Sequence, residues 1–316
     1  MAPPMKLPTL DLKGPLAWTF APEWLGLMVI AAVDAAWARL INFHLHIATS
    51  DFHVLAAVLA SMMMLRLFGQ KRGGMMAEFL ALTLAMAGVF TVFSYLSMAS
   101  SGALADHQLL AIDKALGFDW LVGWKFLMAH PLALRASALL YNSLTWQALY
   151  LGLLLGLMAR VYRMRELFWI LFVSALFTNI IAISLPAYGP FEVFGLSSNG
   201  EFLPDMHLLR SGGRLSFALS NMTGVICFPS FHTVMALCYA YGLRKTGIVG
   251  HIITGMNVAM LFTIPFIGGH YLIDMIAGAA VMALSLALVK VTPTLSQNFA
   301  VGSAARIQCL LDAETR

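Results

Sequence analysis

The sequence predicts an all-α, polytopic transmembrane bundle of about eight spans, and three observations carry that expectation. Of 316 residues, 60% are hydrophobic and 11% charged, where a soluble globular domain is roughly a quarter charged. The mean hydropathy is +0.82. The apolar residues gather in separate runs close to the roughly 20 residues an α-helix needs to cross about 30 Å of hydrocarbon. Lys and Arg cluster at the ends of alternate runs, where they set orientation.

The runs follow one another as Trp24–Ile47, Phe52–Phe68, Ala77–Ala99, Leu132–Met158, Leu167–Leu185, Phe231–Tyr241, Ile248–Ile267 and Tyr271–Val289. The sixth is short unless its helix begins before Phe231. Basic clusters lie at Lys71-Arg72, Arg160 to Arg165, Arg244-Lys245, and Lys290 with Arg306 beyond it. By the positive-inside rule those loops and both termini face the cytoplasm, and Ser100–Pro131, Pro186–Cys227 and Gly268–His270 face outward. The organisation read from this is 1–76 as an N-terminal tail with two spans, 77–290 as a six-span catalytic core, and 291–316 as a cytoplasmic tail. Residues 1–22 lack the pattern of a cleavable signal peptide. The net charge of +4 sits at span ends, which argues against nucleic-acid binding. Cys227, Cys238 and Cys309 show neither zinc-site spacing nor an even disulfide count.

Two outer segments read as structured. Asp113–Leu127 mixes Trp120, Trp124 and Phe126 with Asp119 and Lys125, as expected of a helix in the headgroup plane that either caps the bundle or lines a lipid entrance. The segment from Pro186 to Asn221 carries Arg210, Gly212, Gly213 and Arg214, glycines for close backbone approach and arginines that grip anions in a fork. His44, His46 and His53 surround the first outer turn but lack an acidic or Cys partner at metal-site spacing. Asp34 in the first span is expected to hydrogen-bond within the bundle, and Asn142 and Gln147 in the fourth to bridge helices or line the cavity. Cys227 is expected to be a packing residue.

The chemistry resides in Phe228-Pro229-Ser230-Phe231-His232 and Gly268-Gly269-His270-Tyr271-Leu272-Ile273-Asp274. Ionisable residues within membrane segments are functional candidates. One crossing and return places both histidines on the same side. On a helix, His270 and Asp274 lie one turn apart, where the carboxylate can accept from the imidazole. Pro229 and Ser230 suit a helix start, and a phosphate could sit between the two helix N-termini. Two histidines that change protonation near neutral pH suit phosphoryl transfer without a metal or other cofactor.

At these residues the chain resembles the type 2 phosphatidic acid phosphatase superfamily, in its Pro-Ser-x-His and His-x-x-x-Asp motifs. The resemblance covers about Phe79 to Val289 and implies a six-helix core. It makes His270 the nucleophile that forms a phosphohistidine, Asp274 its orienting carboxylate, and His232 the acid for the leaving group. Thr263 and Ile264 stand where that superfamily has Ser-Arg, and the first motif's Lys and Arg-Pro are absent around Ile180 to Pro190. Arg210 and Arg214 are the candidate substitutes, with Ser230 and Gly269 as further substrate-binding positions. Gly269-His270-Tyr271, Tyr141-Asn142-Ser143 and the Pro186 run are more similar to the inositol phosphorylceramide synthase and sphingomyelin synthase branch. The implied activity is transfer of a phospho-headgroup from a membrane lipid to a lipid acceptor; with water as acceptor the enzyme is a lipid phosphate phosphatase. A phospholipid transporter is the rival from another class.

Overall fold

A computed structural model describes residues 20–292, so the N-terminal tail, Arg306 and Cys309 lie outside the described residues. Among the described residues the chain is all-α apart from one two-stranded ladder. Helix α1 (Ala21–Leu40) leads to strand β1 (His44–His46), and a 3₁₀ turn then opens α2 (His53–Leu67). The long α3 (Lys71–Ala99) is followed by two short outer helices, α4 (Asp106–Ala115) and α5 (Trp120–Ala129). Helices α6 (Pro131–Leu157) and α7 (Val161–Ser184) recross the bundle. The next outer excursion holds α8 (Pro190–Val193), α9 (Leu203–Arg210) and strand β2 (Ser216–Ala218). Helices α10 (Phe231–Gly242), α11 (Ile248–Leu261), α12 (Ile264–Ile267) and α13 (Leu272–Val291) complete it.

Among the described residues, six helical stretches are long and apolar enough to cross a membrane: Ala21–Leu40, Thr49–Leu67, Arg72–Ala99, Pro131–Leu157, Val161–Ser184 and Leu272–Val291. The two other expected spans are shorter. Helix α10 has 12 residues, about 18 Å of rise. The irregular stretch before it has Val225 and Cys227 buried, and backbone outside a helix is tolerated where protein surrounds it. Helix α11 stops at Leu261, and the chain turns at Thr263 into α12 with Pro265 in its first turn. Together they cover the expected Ile248–Ile267 run.

The expected single helix over Asp113–Leu127 is two helices. Gly117 takes φ +77° between them, a left-handed value that glycine accepts without a Cβ clash, and Asp119 caps α5 by accepting from the Val122 amide at 3.0 Å. Trp120 and Trp124 are buried rather than lipid-facing. Trp120 stacks on Phe194 at 5.6 Å and its indole donates to the Pro265 carbonyl at 2.8 Å. These contacts bind α5 over α12 and the α8 loop, so the segment caps the bundle.

The main core cluster draws apolar side chains from α1, α3, α6, α7, α10, α11, α12 and α13, with smaller clusters beside it. Gly156 lets α3 approach α6, since a Cβ there would lie 2.2 Å from Met76 Cγ. Gln147 on α6 donates to Ser143 at 3.0 Å and accepts from Asn257 on α11 at 2.8 Å, the expected interhelical bridge. Asp34 is buried with Oδ1 unpartnered among the described residues. Strand β1 pairs in parallel with β2, His44 opposite Ser216, and His46 Nε2 lies 2.9 Å from Ser216 Oγ.

Candidate active site

Helices α10 and α13 begin side by side. The Ser230 amide donates to the Asp274 carbonyl at 3.0 Å, and Gly278 permits the approach, since a Cβ there would fall 2.4 Å from the Ser230 carbonyl oxygen. Ser230 caps α10 by accepting from the Thr233 amide at 3.3 Å. Pro229 therefore lies just outside the helix rather than at its first position. His232, on the first turn, faces His270 with ring centroids 5.8 Å apart.

His270 is fixed by its own backbone neighbours. Gly269 has φ +66°, and a Cβ on it would lie 2.5 Å from the Phe191 ring. A Cβ on Gly268 would meet His270 Cδ2, Tyr141 Oη and the Ile264 carbonyl oxygen, each at 2.9 Å. Both glycines therefore make room for the side chains and backbone packed around His270. His270 Nδ1 donates to the Cys227 carbonyl at 2.9 Å, and Asp274 Oδ2 is farther off at 3.4 Å. The nearer orienting acceptor is thus a backbone oxygen. Either acceptor keeps the proton on Nδ1 and leaves Nε2 with its lone pair outward. Burial holds the His270 pKa down to about 4, against the opposing pull of the Cys227 carbonyl.

Asp274 is wholly buried. Its Oδ2 accepts from the Tyr271 amide at 2.8 Å and from the Cys227 thiol at 3.1 Å, so Cys227 is more than packing. Burial and the adjacent Asp274 carboxylate push the Cys227 thiol well above its usual pKa, keeping it protonated as a donor. Cys227 Sγ, His270 Nδ1 and Asp274 Oδ2 lie within 4.8 Å of one another, the sole group of three ligand-type side chains among the described residues. His44, His46 and His53 form no such group. Hydrogen bonds already join the atoms of that trio.

Two acids missed in the sequence complete the support. Asp113 on α4 accepts from the Leu272 and Ile273 amides at 2.8 and 2.9 Å. Asp106 accepts from the Tyr188 and Gly189 amides at 3.0 and 2.8 Å and from the Tyr271 hydroxyl at 2.9 Å. The first amides of α13 are consequently occupied by carboxylates, so the expected phosphate seat at that helix start is taken. The sequence signal was available: the two acids lie seven apart, on one helix face, and both are buried. Tyr141 was noted only for its resemblance. Its ring stacks on His232 with centroids 4.6 Å apart, and its oxygen is 3.3 Å from Nδ1.

The structure gathers His232, His270, Asp274, Ser230 and Gly269. It places Arg210 on the outer loop, bonded to Ser101 Oγ and, at 2.7 Å, to the Gly102 carbonyl. Arg214 is exposed on the same loop.

A family model described as the PAP2 superfamily matches residues 107–288, more than half the chain and every residue of the two motifs. The chain belongs to the PAP2 superfamily. Membership makes it an integral membrane enzyme of the phosphatase and phosphotransferase type that acts on lipid phosphates. The match opens after α3, within α4. No curated protein and no solved structure matches the chain.

Proposed function

We propose that this PAP2 enzyme is a lipid phosphotransferase that moves a phospho-headgroup from a phosphodiester lipid to a second lipid alcohol through a phosphohistidine. In the first step His270 Nε2 attacks phosphorus, the Nε2–P bond forms, the P–O bond to the donor's lipid alcohol breaks, and His232 gives that oxygen its proton. In the second step His232 takes a proton from the acceptor hydroxyl, whose oxygen attacks phosphorus as the P–N bond breaks. The Cys227 carbonyl and Asp274 keep His270 in the nucleophilic tautomer. The 77–290 segment is the catalytic unit, with its site at the outer face and both termini cytoplasmic.

One observation carries the preference for a diester donor. The charges that act on Asp274 and Cys227 are carboxylates, Asp106 for both and Asp113 for Asp274, and no Arg or Lys hydrogen-bonds to the two histidines or Asp274 among the described residues. A phosphodiester brings one negative charge into such surroundings, whereas a monoester brings up to two. At an effective dielectric near 20, a second charge about 4 Å from a carboxylate costs on the order of 4 kcal/mol more. Arg214, exposed at the rim, would meet lipid phosphates there, while Arg210 holds the loop.

The test supplies purified enzyme with a phosphodiester phospholipid plus a diacylglycerol or ceramide and, separately, with phosphatidic acid. The expected result is a new headgroup-bearing lipid, absent with His270→Ala, and little free phosphate. Phosphate released from phosphatidic acid, with diacylglycerol and no new phospholipid beside it, would replace this reading with hydrolysis. No product from either donor would favour transport.

A further inference from the structure

We infer that Tyr141 is the positioning residue of the acid–base histidine, setting which nitrogen of His232 carries the travelling proton. This deepens the transfer reading and rests on it. In that reading a single nitrogen of His232 must donate a proton in the first half-reaction and accept one in the second. The other nitrogen must keep its own proton throughout.

Tyr141 supplies the means. It projects from α6, a helix that contributes neither motif, and lays its ring on the imidazole of His232 with planes 25° apart and centroids 4.6 Å apart. Its oxygen reaches Nδ1 at 3.3 Å. As an acceptor it holds Nδ1–H in both the neutral and the charged ring, which leaves Nε2 as the atom for substrate. A contact of that length shortens when the ring gains its charge, because charge-assisted bonds are the shorter and stronger kind. His270 is arranged alike, its Nδ1 tied to an uncharged oxygen of the Cys227 backbone. Each histidine thus has Nδ1 committed to a neutral acceptor, with the two rings 5.8 Å apart.

Gly268 adds an independent sign that the phenol belongs where it is. A Cβ there would come within 2.9 Å of both Tyr141 Oη and His270 Cδ2. The bare Cα therefore admits the phenol oxygen between the two motifs.

The experiment compares Tyr141→Phe, which keeps the stacked ring and loses only the oxygen, with wild type on two donors. One donor is a natural-type phosphodiester whose leaving group is a lipid alcohol and needs a proton. The other is a nitrophenyl phosphodiester lipid, whose leaving group departs unprotonated. The expected result is a loss on the order of 10- to 100-fold in kcat for phospho-enzyme formation from the first donor, with the second within about threefold of wild type. His232→Ala should show the same donor dependence, more strongly, and His270→Ala should abolish both. Equal losses on the two donors with Tyr141→Phe, or no loss on either, overturn the inference while His232→Ala and His270→Ala still behave as stated. Wild-type activity in both histidine variants would instead sink the transfer reading, and the role of Tyr141 with it.

Discussion

Cys227 serves the site with two atoms, its carbonyl accepting from His270 and its thiol donating to Asp274. Asp274 Oδ1 already lacks a partner among the described residues, so removing the thiol strips a buried carboxylate of one of its two side-on donors. Cys227→Ala is expected to lower stability by about 1–3 kcal/mol, and Cys227→Ser, which restores a donor, to regain most of it, as read by thermal unfolding in detergent. Acid should act through His270 in a known direction. Its pKa falls from 6.5 in the unfolded chain to about 4 in the fold, so between those values the unfolded chain holds more protons. The contribution is present in full above about pH 6.5 and lost as pH drops toward 4. A series of unfolding midpoints from pH 7.5 to 4.5 should decline, and His270→Gln should flatten part of the decline. Gly269→Ala meets both a left-handed φ and the Phe191 ring at 2.5 Å. Its expected cost exceeds about 1 kcal/mol, with activity lost alongside because His270 is the next residue.

Helix α4 works as a strap whose two acids each take a pair of backbone amides. Asp113 caps α13 and Asp106 holds the Tyr188–Gly189 turn. Burial lifts the Asp113 pKa, against the pull of the two amides it accepts from, so the fold takes up a proton there more readily than the unfolded chain does. Asp113→Ala should cost about 1–2 kcal/mol and speed hydrogen exchange at the Leu272 and Ile273 amides, while amides deep in α7 stay protected. A variant with uniform exchange across the bundle would contradict the strap. The limits of sequence reading show at this scale. Apolar periodicity and charge placement find spans and motifs, because both are local in the chain. The partners of Asp106 lie 82 and 83 residues away, and that choice depends on packing. The same reason hid the two-helix character of α4 and α5, which turns on one glycine.

Across the molecule, the two N-terminal spans are fastened to the core at both ends. On the basic side Glu23 accepts from Arg165 and from the Trp169 indole, each at 3.2 Å, while Glu78 pairs with Arg66 and accepts from the Phe20 amide at 3.1 Å. Arg165→Met leaves a fully buried Glu23 short of its cation and should cost about 3–5 kcal/mol, measured by unfolding, with turnover per folded molecule near wild type. The topology itself is testable: Ser197→Cys should react with an impermeant maleimide added outside intact cells, and Thr246→Cys only after lysis. The bundle, the spans and both motifs were legible in the sequence. The clamps were not, since Glu23 and Glu78 read as ordinary helix-end charges until packing brings Arg165 and Arg66 to them. On the outer side the clamp is the β1–β2 ladder, whose partners are as far apart as His44 and Ser216. During synthesis β1 is made long before β2, and α3 to α9 must all be in place before it finds its partner. Such long-range pairing closes last. A chain that ends before Ser216 leaves β1 without its partner strand and the two N-terminal spans without that tie to the core.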